Sequence, residues 1–393
     1  MDIISGTLNY MATKFIFIIL VLLVLFCSCS KIPAYDCLGC ENYPVNSYIS
    51  SEKAKAIADA ACRYVNNEKV PAIQITIVDS TGNSWSLSTG TADKKRKNPI
   101  TDESIFRLAS VTKTFTASVI FKLIEEGKLS INDKLTTFFP GYAHATNVTI
   151  KNLLDHSSGI KELLTLPDIL MGSTLNSDKI WDINQIVSTI SRKKLDFATG
   201  TDHKYSNTNT VLLGLIAEKI SGRKMAELYR DYLFNDLNIH NIFFSPYEGT
   251  PEGLISGYDR KLLPTPGLYE ISAKNTAWAT SAFTSGALVA TSSETAWFYH
   301  NLFMGKILSG NSLAIMKSFE PANKPDNEHL KYFGRGLFKW DINGNTYWGH
   351  EGVFVGFDNI AGFREKDKTA IVILANVSSF NKFGLFAEID DIL

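Results

Sequence analysis

The sequence predicts an α+β fold in which strands from the two ends of the chain form one antiparallel sheet flanked by helices, with a mostly helical second lobe. Two strand-like segments near the start, 72–78 and 84–88, flank a polar turn at 79–83. Helical spacing of apolar residues dominates over 110–297, and strand-like segments return over 336–375. A cleft is expected where the two lobes meet.

The elements follow in order from local patterns. Residues 51–66 carry one apolar face at helical spacing, which predicts the first helix. In the middle of the chain, a β-like segment at 104–108 leads into a helix at 110–126, and a further helix is expected at 210–220. The closing strands and the last helix are expected at 336–341, 346–350, 357–363, 370–375 and 383–392.

The first 29 residues are predicted to be a lipoprotein-type signal peptide rather than part of the fold. A continuous apolar run at 15–26 follows Lys14, and it is shorter than the ~20 residues that a membrane-spanning helix needs. Ser28 stands directly before Cys29, as in a bacterial lipobox, so Cys29 is the expected site of lipidation. Two alternatives stay open: a secretory peptide cleaved without lipid attachment, and translation from Met11.

Residues 30–47 are expected to form a tether, and residues 48–393 a single folded domain of two lobes. The tether carries Cys37 and Cys40, one Cys-x-x-Cys pair without the second ligand pair that a structural zinc site needs. We interpret them as a local disulfide or two free thiols, with Cys62 as the one cysteine of the domain. The protein is expected to be exported and held in the bacterial cell envelope, with the lipid as its only membrane contact.

The composition fits a globular protein and argues against nucleic acid as a partner. Apolar residues make up 45% of the chain, which is enough for a sizeable core. The formal net charge is −1, whereas a phosphate-binding surface needs clustered excess Lys and Arg. The sequence contains no His-x-x-x-His or Gly-x-Gly-x-x-Gly pattern, so neither a metal nor an organic cofactor is expected.

Three short motifs carry the expected chemistry, and the first is Ser110-Val111-Thr112-Lys113. Ser110 is expected at a helix N-terminus, where free N–H groups favour developing negative charge. Lys113 shares its helix face, so the amine can reach the hydroxyl. To act as a base the amine must be neutral, and its pKa must therefore fall from ~10.4. The alternative is a capping serine followed by a surface lysine.

The second motif is Tyr205-Ser206-Asn207, which lies in a polar loop before a predicted helix. In a catalytic role, Tyr205 would relay a proton to the leaving group and Asn207 would hold a substrate carbonyl. In the alternative interpretation, Tyr205 only covers a pocket and Asn207 caps the helix.

The third motif, His350-Glu351-Gly352, lies on a predicted strand rich in aromatic residues. Gly352 would allow a substrate backbone to lie close to this strand. The N–H of Val353 would then pair with the N–H of Ser110 as an oxyanion hole. A single histidine on a strand is usually structural, and this remains the alternative for His350.

These motifs and the stretches around them resemble the serine β-lactamase and penicillin-recognising DD-peptidase superfamily. The branch in question holds class C β-lactamases, DD-carboxypeptidases, D-aminopeptidases and related esterases. The resemblance implies a β-lactamase/transpeptidase-like fold. It covers about residues 48–393, with signatures at 106–113, 150–160, 205–214 and 348–357.

The resemblance also implies a role for each motif residue. Ser110 would be the nucleophile, Lys113 its base and Tyr205 the proton relay. The substrate contacts would be Asn207, His350 and Gly352. The oxyanion donors would be the backbone amides of Ser110 and Val353. His156, within the 150–160 signature, is interpreted as structural.

The third motif departs from β-lactamases, which usually carry Lys-Thr-Gly or Lys-Ser-Gly there. Here His350 is largely neutral at pH 7, and Glu351 replaces the hydroxyl residue. A carboxylate beside the site would repel an anionic substrate. Strand alternation, however, should point Glu351 away from the face that carries His350.

The sequence therefore predicts a serine hydrolase of the DD-carboxypeptidase, D-aminopeptidase or esterase type, with an acyl-enzyme on Ser110. The expected partners are small molecules or peptides: a cell-wall peptide, a D-amino-acid peptide, an ester or a β-lactam. Two alternatives stay open, a class C-like β-lactamase and a catalytically weak penicillin-binding sensor. No Gly-x-Ser-x-Gly elbow supports an α/β-hydrolase.

Overall fold

The structure is a computed structural model. The residues that it describes are 43–46, 48–93, 98–142, 144–260, 267–321, 329, 332–354 and 356–393. The predicted signal peptide, with Cys29, and most of the predicted tether lie outside these residues. Within the described ranges, no helix is long and apolar enough to cross a membrane.

The strands are numbered in chain order. They are β1 Ala72–Val78, β2 Ser84–Gly90, β3 Phe106–Arg107, β4 Ile242–Phe244, β5 Gly257–Asp259, β6 Tyr269–Ile271, β7 Leu288–Ala290, β8 Glu320–Pro321, β9 Tyr332–Phe333, β10 Phe338–Ile342, β11 Asn345–Phe354, β12 Phe357–Arg364 and β13 Thr369–Ala375.

The α-helices are numbered in the same way. They are α1 Ser51–Asn67, α2 Thr112–Glu125, α3 Leu135–Phe138, α4 Ile150–Leu154, α5 Pro167–Leu175, α6 Ile183–Ser191, α7 Asn207–Ser221, α8 Met225–Tyr229, α9 Ser245–Glu248, α10 Thr276–Ala282, α11 Ser292–Phe303, α12 Gly310–Met316 and α13 Lys382–Ile392.

The main sheet is built from both ends of the chain. Its strand order is β2-β1-β13-β12-β11-β10-β9-β8, and its neighbouring strands are antiparallel. The hairpin of β1 and β2 therefore continues the sheet of the C-terminal strands through β13. Short strands β3, β7 and β4 form a separate sheet, and helices dominate between α2 and α12. This confirms the predicted α+β architecture.

The central strands are covered on both faces, as β13 illustrates. Val372 and Leu374 lie in the core cluster shared with the helical lobe, whereas Ile371 and Ile373 lie in the cluster shared with α1 and α13. Strand alternation explains the division. Because each fully buried aliphatic side chain contributes about 1.5–3 kcal/mol, the two layers hold the sheet firmly between them.

Several predicted elements differ in their bounds by a few residues, and two of these differences lie beside the motifs. The strand expected at 346–350 continues as β11 because its ladder with β12 extends through Gly352 and Val353. The helix expected at 110–126 begins with a 3-10 turn, Ala109–Val111, before α2. Both differences lie next to the third and first motifs, where tertiary pairing adds to the local pattern.

Cys62, on α1, is disulfide-bonded. This differs from the expectation, in which a bridge was considered only between Cys37 and Cys40. The other four of the five cysteines precede residue 43, outside the described residues. A disulfide leaves no trace in the helical spacing around Cys62, so the pattern could not reveal it.

A buried charge network attaches the last helix to the sheet. Asp390, on α13, lies 2.6 Å from Arg364 Nη1 on β12, and the two side chains are 1% and 4% exposed. Asp390 also accepts hydrogen bonds from the Tyr347 hydroxyl and, at 2.9 Å, from Asn345 Nδ2, both on β11. Arg364 also pairs with Asp367 at 2.7 Å, but that side chain is 41% exposed, so Asp390 is the buried one of its two carboxylate partners.

We therefore expect Asp390→Asn to lower the free energy of unfolding by about 2 kcal/mol, because Arg364 loses its buried carboxylate partner and keeps the more exposed Asp367. The neighbouring Asp391→Asn is the matched control, since Asp391 is exposed and bonds Asn343. It should change the free energy by less than about 0.5 kcal/mol. Urea unfolding followed by circular dichroism measures both variants, and equal midpoints would contradict this role.

Candidate active site

The turn before Ser110 is held in a conformation that few residues with a Cβ adopt. It joins β3 to α2, and Ala109 has a φ of 51°, in the left-handed region. Asn359 Nδ2, on β12, donates to Arg107 O at 2.8 Å and fixes the chain just before the turn. Ser110 therefore lies in the 3-10 turn that leads into α2, next to the helix N-terminus at which it was expected.

Lys113 is buried directly beneath Ser110, with 1% of its surface exposed. Its Nζ lies 3.0 Å from Ser110 Oγ, 2.7 Å from Asn207 Oδ1 and 2.7 Å from Ser285 O. The last two are acceptors only. A neutral amine would give them its two N–H groups, which leaves its lone pair for the Ser110 hydroxyl proton. The alternative of a surface lysine is excluded.

The surroundings of Lys113 favour this neutral amine. Burial lowers the pKa of Lys113 to about 7, because the charged ammonium loses its hydration. The carboxylate of Glu162 acts in the opposite direction and raises this pKa. A large fraction of the amine is therefore unprotonated at neutral pH, as a general base requires.

Glu162 also fixes the orientation of Asn207. Its Oε2 accepts from the Asn207 backbone N–H at 2.5 Å, and its Oε1 accepts from Asn207 Nδ2 at 3.2 Å. With the amide nitrogen held in this way, Asn207 Oδ1 points to Lys113. Glu162 was not among the residues that the sequence motifs indicated. The available signal was its position three residues after Gly159, next to the 150–160 signature.

Tyr205 lies in the loop just before α7 and contacts Ser110. Its hydroxyl donates to Ser110 Oγ at 2.7 Å, and Lys113 Nζ lies 4.8 Å from its ring centroid. Its ring packs on His156, with 4.7 Å between centroids. The first and second motifs therefore meet at one oxygen, Ser110 Oγ.

His156 supports this loop as a neutral side chain. Its Nδ1 lies 3.2 Å from the Ser206 backbone N–H and 3.2 Å from Asn209 Nδ2, so it acts as an acceptor. Burial, followed by the positive charge of Lys113, lowers the pKa of His156 to about 3. These contacts agree with its interpretation as a structural residue.

His350 lies on β11 at the opposite wall of the site. It is buried, and its ring packs against Phe338 with 4.4 Å between centroids. Its Nδ1 lies 2.5 Å from Glu351 O, and a carbonyl can only accept, so Nδ1 carries the proton. Burial, with a smaller contribution from Lys113, holds the pKa of His350 well below its usual value. His350 is therefore uncharged and presents no cation to a substrate.

Glu351 has a partner that the sequence did not reveal. Its Oε2 lies 2.6 Å from Lys382 Nζ at the start of α13, and the same Nζ lies 2.5 Å from Asp358 Oδ1 on β12. Glu351 nevertheless lines the same cavity as Ser110 and His350. Strand alternation alone was therefore an incomplete guide, because this cavity opens at the end of β11.

Gly352 permits the closest approach between β11 and the turn before α2. A Cβ at this position would lie 2.3 Å from Leu108 O and 3.2 Å from Ser110 N, so any larger residue would push the strand away. Val353, which follows directly, is 50% exposed at the cavity wall. The strand thus brings the third motif against the backbone amide of Ser110. The oxyanion role of the Ser110 and Val353 amides remains a prediction.

The three motifs surround one cavity of about 190 Å³. Its lining is Ser110, Tyr205, Asn207, Phe333, Phe338, His350, Glu351 and Val353. Within the described ranges, no group of three or more His, Cys, Asp or Glu side chains could hold a metal ion. The arrangement offers an activated hydroxyl, a phenol and backbone amides, which together suit acyl transfer.

Comparison with known proteins identifies a matching family and similar sequences. A family model described as Beta-lactamase matches residues 57–391. Penicillin-binding protein 4* of Bacillus subtilis (strain 168) is 35% identical over 168 residues, which cover 40% of this chain and 36% of that protein. A putative D-alanyl-D-alanine carboxypeptidase of Escherichia coli (strain K12) is 30% identical over 155 residues, 37% of this chain and 35% of that protein. The match thus spans about a third of each relative.

A solved structure extends the likeness to nearly the whole fold. D-amino acid amidase from Ochrobactrum anthropi SV3, in complex with D-phenylalanine, superposes with a TM-score of 0.79 at 24% identity. The superposition covers 87% of this chain and 99% of that one. At this identity the likeness supports the β-lactamase/transpeptidase-like fold.

The Lys113 environment makes a prediction about the reactivity of Ser110. The rate at which a neutral fluorophosphonate modifies Ser110 should rise with pH through about 7, as Lys113 loses its proton. Glu162→Gln removes the charge that raises this pKa, so the midpoint should move to lower pH. Intact-mass spectrometry over a pH series measures the rate.

The matched control is Glu365→Gln, on an exposed turn between β12 and β13, which should leave the midpoint unchanged. An unchanged or higher midpoint in Glu162→Gln would contradict the assigned effect of Glu162.

Proposed function

Because this chain belongs to the beta-lactamase family, we propose that it is a serine hydrolase that acts through an acyl-enzyme on Ser110. One observation carries the proposal: the buried amine of Lys113 contacts two acceptors and the Ser110 hydroxyl. A neutral amine in that position can take the hydroxyl proton as the serine attacks. We thus assign Lys113 as the base, Tyr205 as the proton relay and Ser110 as the nucleophile.

Acylation follows from these contacts. Ser110 Oγ attacks the carbonyl carbon of an amide or ester, and its proton passes to Lys113 Nζ. The carbonyl oxygen gains the electron pair, and the N–H groups of Ser110 and Val353 would stabilise it. Tyr205, 2.7 Å from Ser110 Oγ, donates its proton to the leaving amine or alcohol and regains one from the Lys113 ammonium.

Deacylation reverses the roles with water in place of the leaving group. The Tyr205–Lys113 pair accepts a proton from water, whose oxygen attacks the acyl carbon. The ester bond to Ser110 breaks, the serine oxygen takes the proton back, and a carboxylic acid leaves. The chain therefore needs no group beyond its own side chains and water for this cycle.

The proposed substrates are amides or esters of the DD-carboxypeptidase, D-aminopeptidase or esterase type. The relatives named as a penicillin-binding protein and a putative D-alanyl-D-alanine carboxypeptidase support this class, and so does the fold shared with a D-amino acid amidase. An efficient β-lactamase is not favoured, because the uncharged His350 and the anionic Glu351 offer no cation to a β-lactam carboxylate.

We also propose that the protein is anchored in the cell envelope by a lipid on Cys29, on the strength of the apolar run and the lipobox-like Ser28-Cys29. Mass spectrometry of the mature protein should find a lipidated Cys29 at its N-terminus. A mature N-terminus at another residue, without lipid, would contradict the anchor.

The proposed nucleophile can be tested by covalent labelling and turnover together. Ser110→Ala should abolish labelling by a fluorophosphonate or a penicillin probe and lower kcat/KM by about 10³-fold or more, because no acyl-enzyme can form. Ser188→Ala, at an exposed position on α6, is the matched control and should behave as wild type. Equal labelling of wild type and Ser110→Ala would refute Ser110 as the nucleophile.

A parallel assay distinguishes the substrate types. The substrates are nitrocefin, a D-Ala-D-Ala peptide, a D-amino-acid amide and a p-nitrophenyl ester. We expect steady-state hydrolysis of at least one of the last three and weak hydrolysis of nitrocefin. A single burst of acylation without turnover would instead indicate a penicillin-binding sensor.

A further inference from the structure

One acidic side chain lies in the lining of the cavity beside Ser110. Among the described residues that line this cavity, Glu351 is the one with a carboxyl group, His350 is uncharged, and none is a lysine or arginine. Lys113 lies beneath the floor, and its amine is occupied by three partners. A bound substrate therefore meets a carboxylate rather than a cation.

The Glu351 carboxylate is held in place but not neutralised. One ammonium, Lys382, is shared between Glu351 at 2.6 Å and Asp358 at 2.5 Å. The two carboxyl groups therefore compete for one ammonium, although burial raises the pKa of Asp358 and so favours its protonated form. The side chains of Lys382 and Asp358 are 7% and 5% exposed, whereas that of Glu351 is 19% exposed. Glu351 is thus the most exposed member of this cluster, and it is the member that lines the cavity.

A groove next to this cavity also carries acidic side chains. It shares Asn207 and Val353 with the first cavity, has a volume of about 390 Å³, and carries Glu162 and Asp259 in its lining. Among the described residues of its lining, none is a lysine or arginine. A substrate that extends from Ser110 into this groove therefore meets two carboxyl side chains, Glu162 and Asp259.

We propose that Glu351 binds the ammonium group of the substrate, so that the enzyme selects amides or esters that carry a free amine. This rests on the proposed function, which it deepens by naming the charge of the substrate. A charge-assisted hydrogen bond from an ammonium to Glu351 would stabilise the complex. A peptide C-terminal carboxylate or a β-lactam carboxylate would instead meet a like charge with no partner. Glu351 is therefore a specificity-determining residue.

The position of Glu351 next to the reacting atoms supports this role. Gly352, which follows it, lies so close to the Ser110 amide that a Cβ there would stand 3.2 Å from Ser110 N. Glu351, the preceding residue, lines the same cavity as Ser110. Lys382 then acts as a positioning residue, since it holds Glu351 on β11 against α13.

The experiment measures binding to the Ser110→Ala protein, in which turnover cannot interfere. The probes are D-phenylalanine amide, which is still largely cationic at about pH 7.3, and neutral N-acetyl-D-phenylalanine amide. At this pH more than half of Lys113 is uncharged, since its pKa is lowered to about 7. Isothermal titration calorimetry should show about tenfold tighter binding of the cationic probe. In the Ser110→Ala/Glu351→Gln protein this preference should disappear.

Two further variants in the Ser110→Ala background serve as controls. Glu351→Asp retains the charge and should retain part of the preference, whereas the exposed Glu365→Gln should leave it unchanged. Thermal unfolding of each protein shows that the fold is kept. A preference that survives Glu351→Gln, or equal binding of the two probes by Ser110→Ala, would overturn the proposal. Failure of the wild type to hydrolyse any substrate would reject the proposed function alone, because the binding measurement does not need turnover.

Discussion

The burial of the Lys113 amine is the constraint on which the rest of the site depends. An amine with 1% exposure must find partners inside the protein, and its three partners come from separate parts of the chain. Ser110 lies just before α2, Asn207 begins α7, and Ser285 belongs to the turn after α10. The same burial that demands these partners also favours the neutral amine. Packing and reactivity thus have one cause.

The backbone around Ser110 is arranged at some cost to stability. The left-handed conformations of Ala109 and His156 cost of the order of 1–3 kcal/mol each, and the approach of β11 leaves no room for a side chain at Gly352. Such conformations persist because neighbouring contacts hold them, for instance Asn359 on Arg107 O. The sheet, covered on both faces, is the rigid frame against which Ser110 is positioned.

Local patterns in the sequence carry much of the fold and part of the site. Alternation and helical spacing predicted α1, the first hairpin and the closing strands, because these elements depend on near neighbours along the chain. Several contacts between residues that are far apart in the sequence were not predicted. Glu162 contacts Asn207, Lys382 contacts Glu351, and Cys62 is disulfide-bonded. No periodicity marks such pairs, and the charge of the cavity depends on one of them.

The central claim is that Lys113 is a neutral amine at physiological pH, and NMR titration of lysine side chains tests it directly. In protein labelled with ¹³C at the lysine ε-carbon, one signal should titrate near pH 7 and be missing from Lys113→Met, since burial lowers this pKa to about 7. If every lysine signal instead titrates near ~10.4, the usual value for an exposed lysine, Lys113 is charged and the proposed base is wrong.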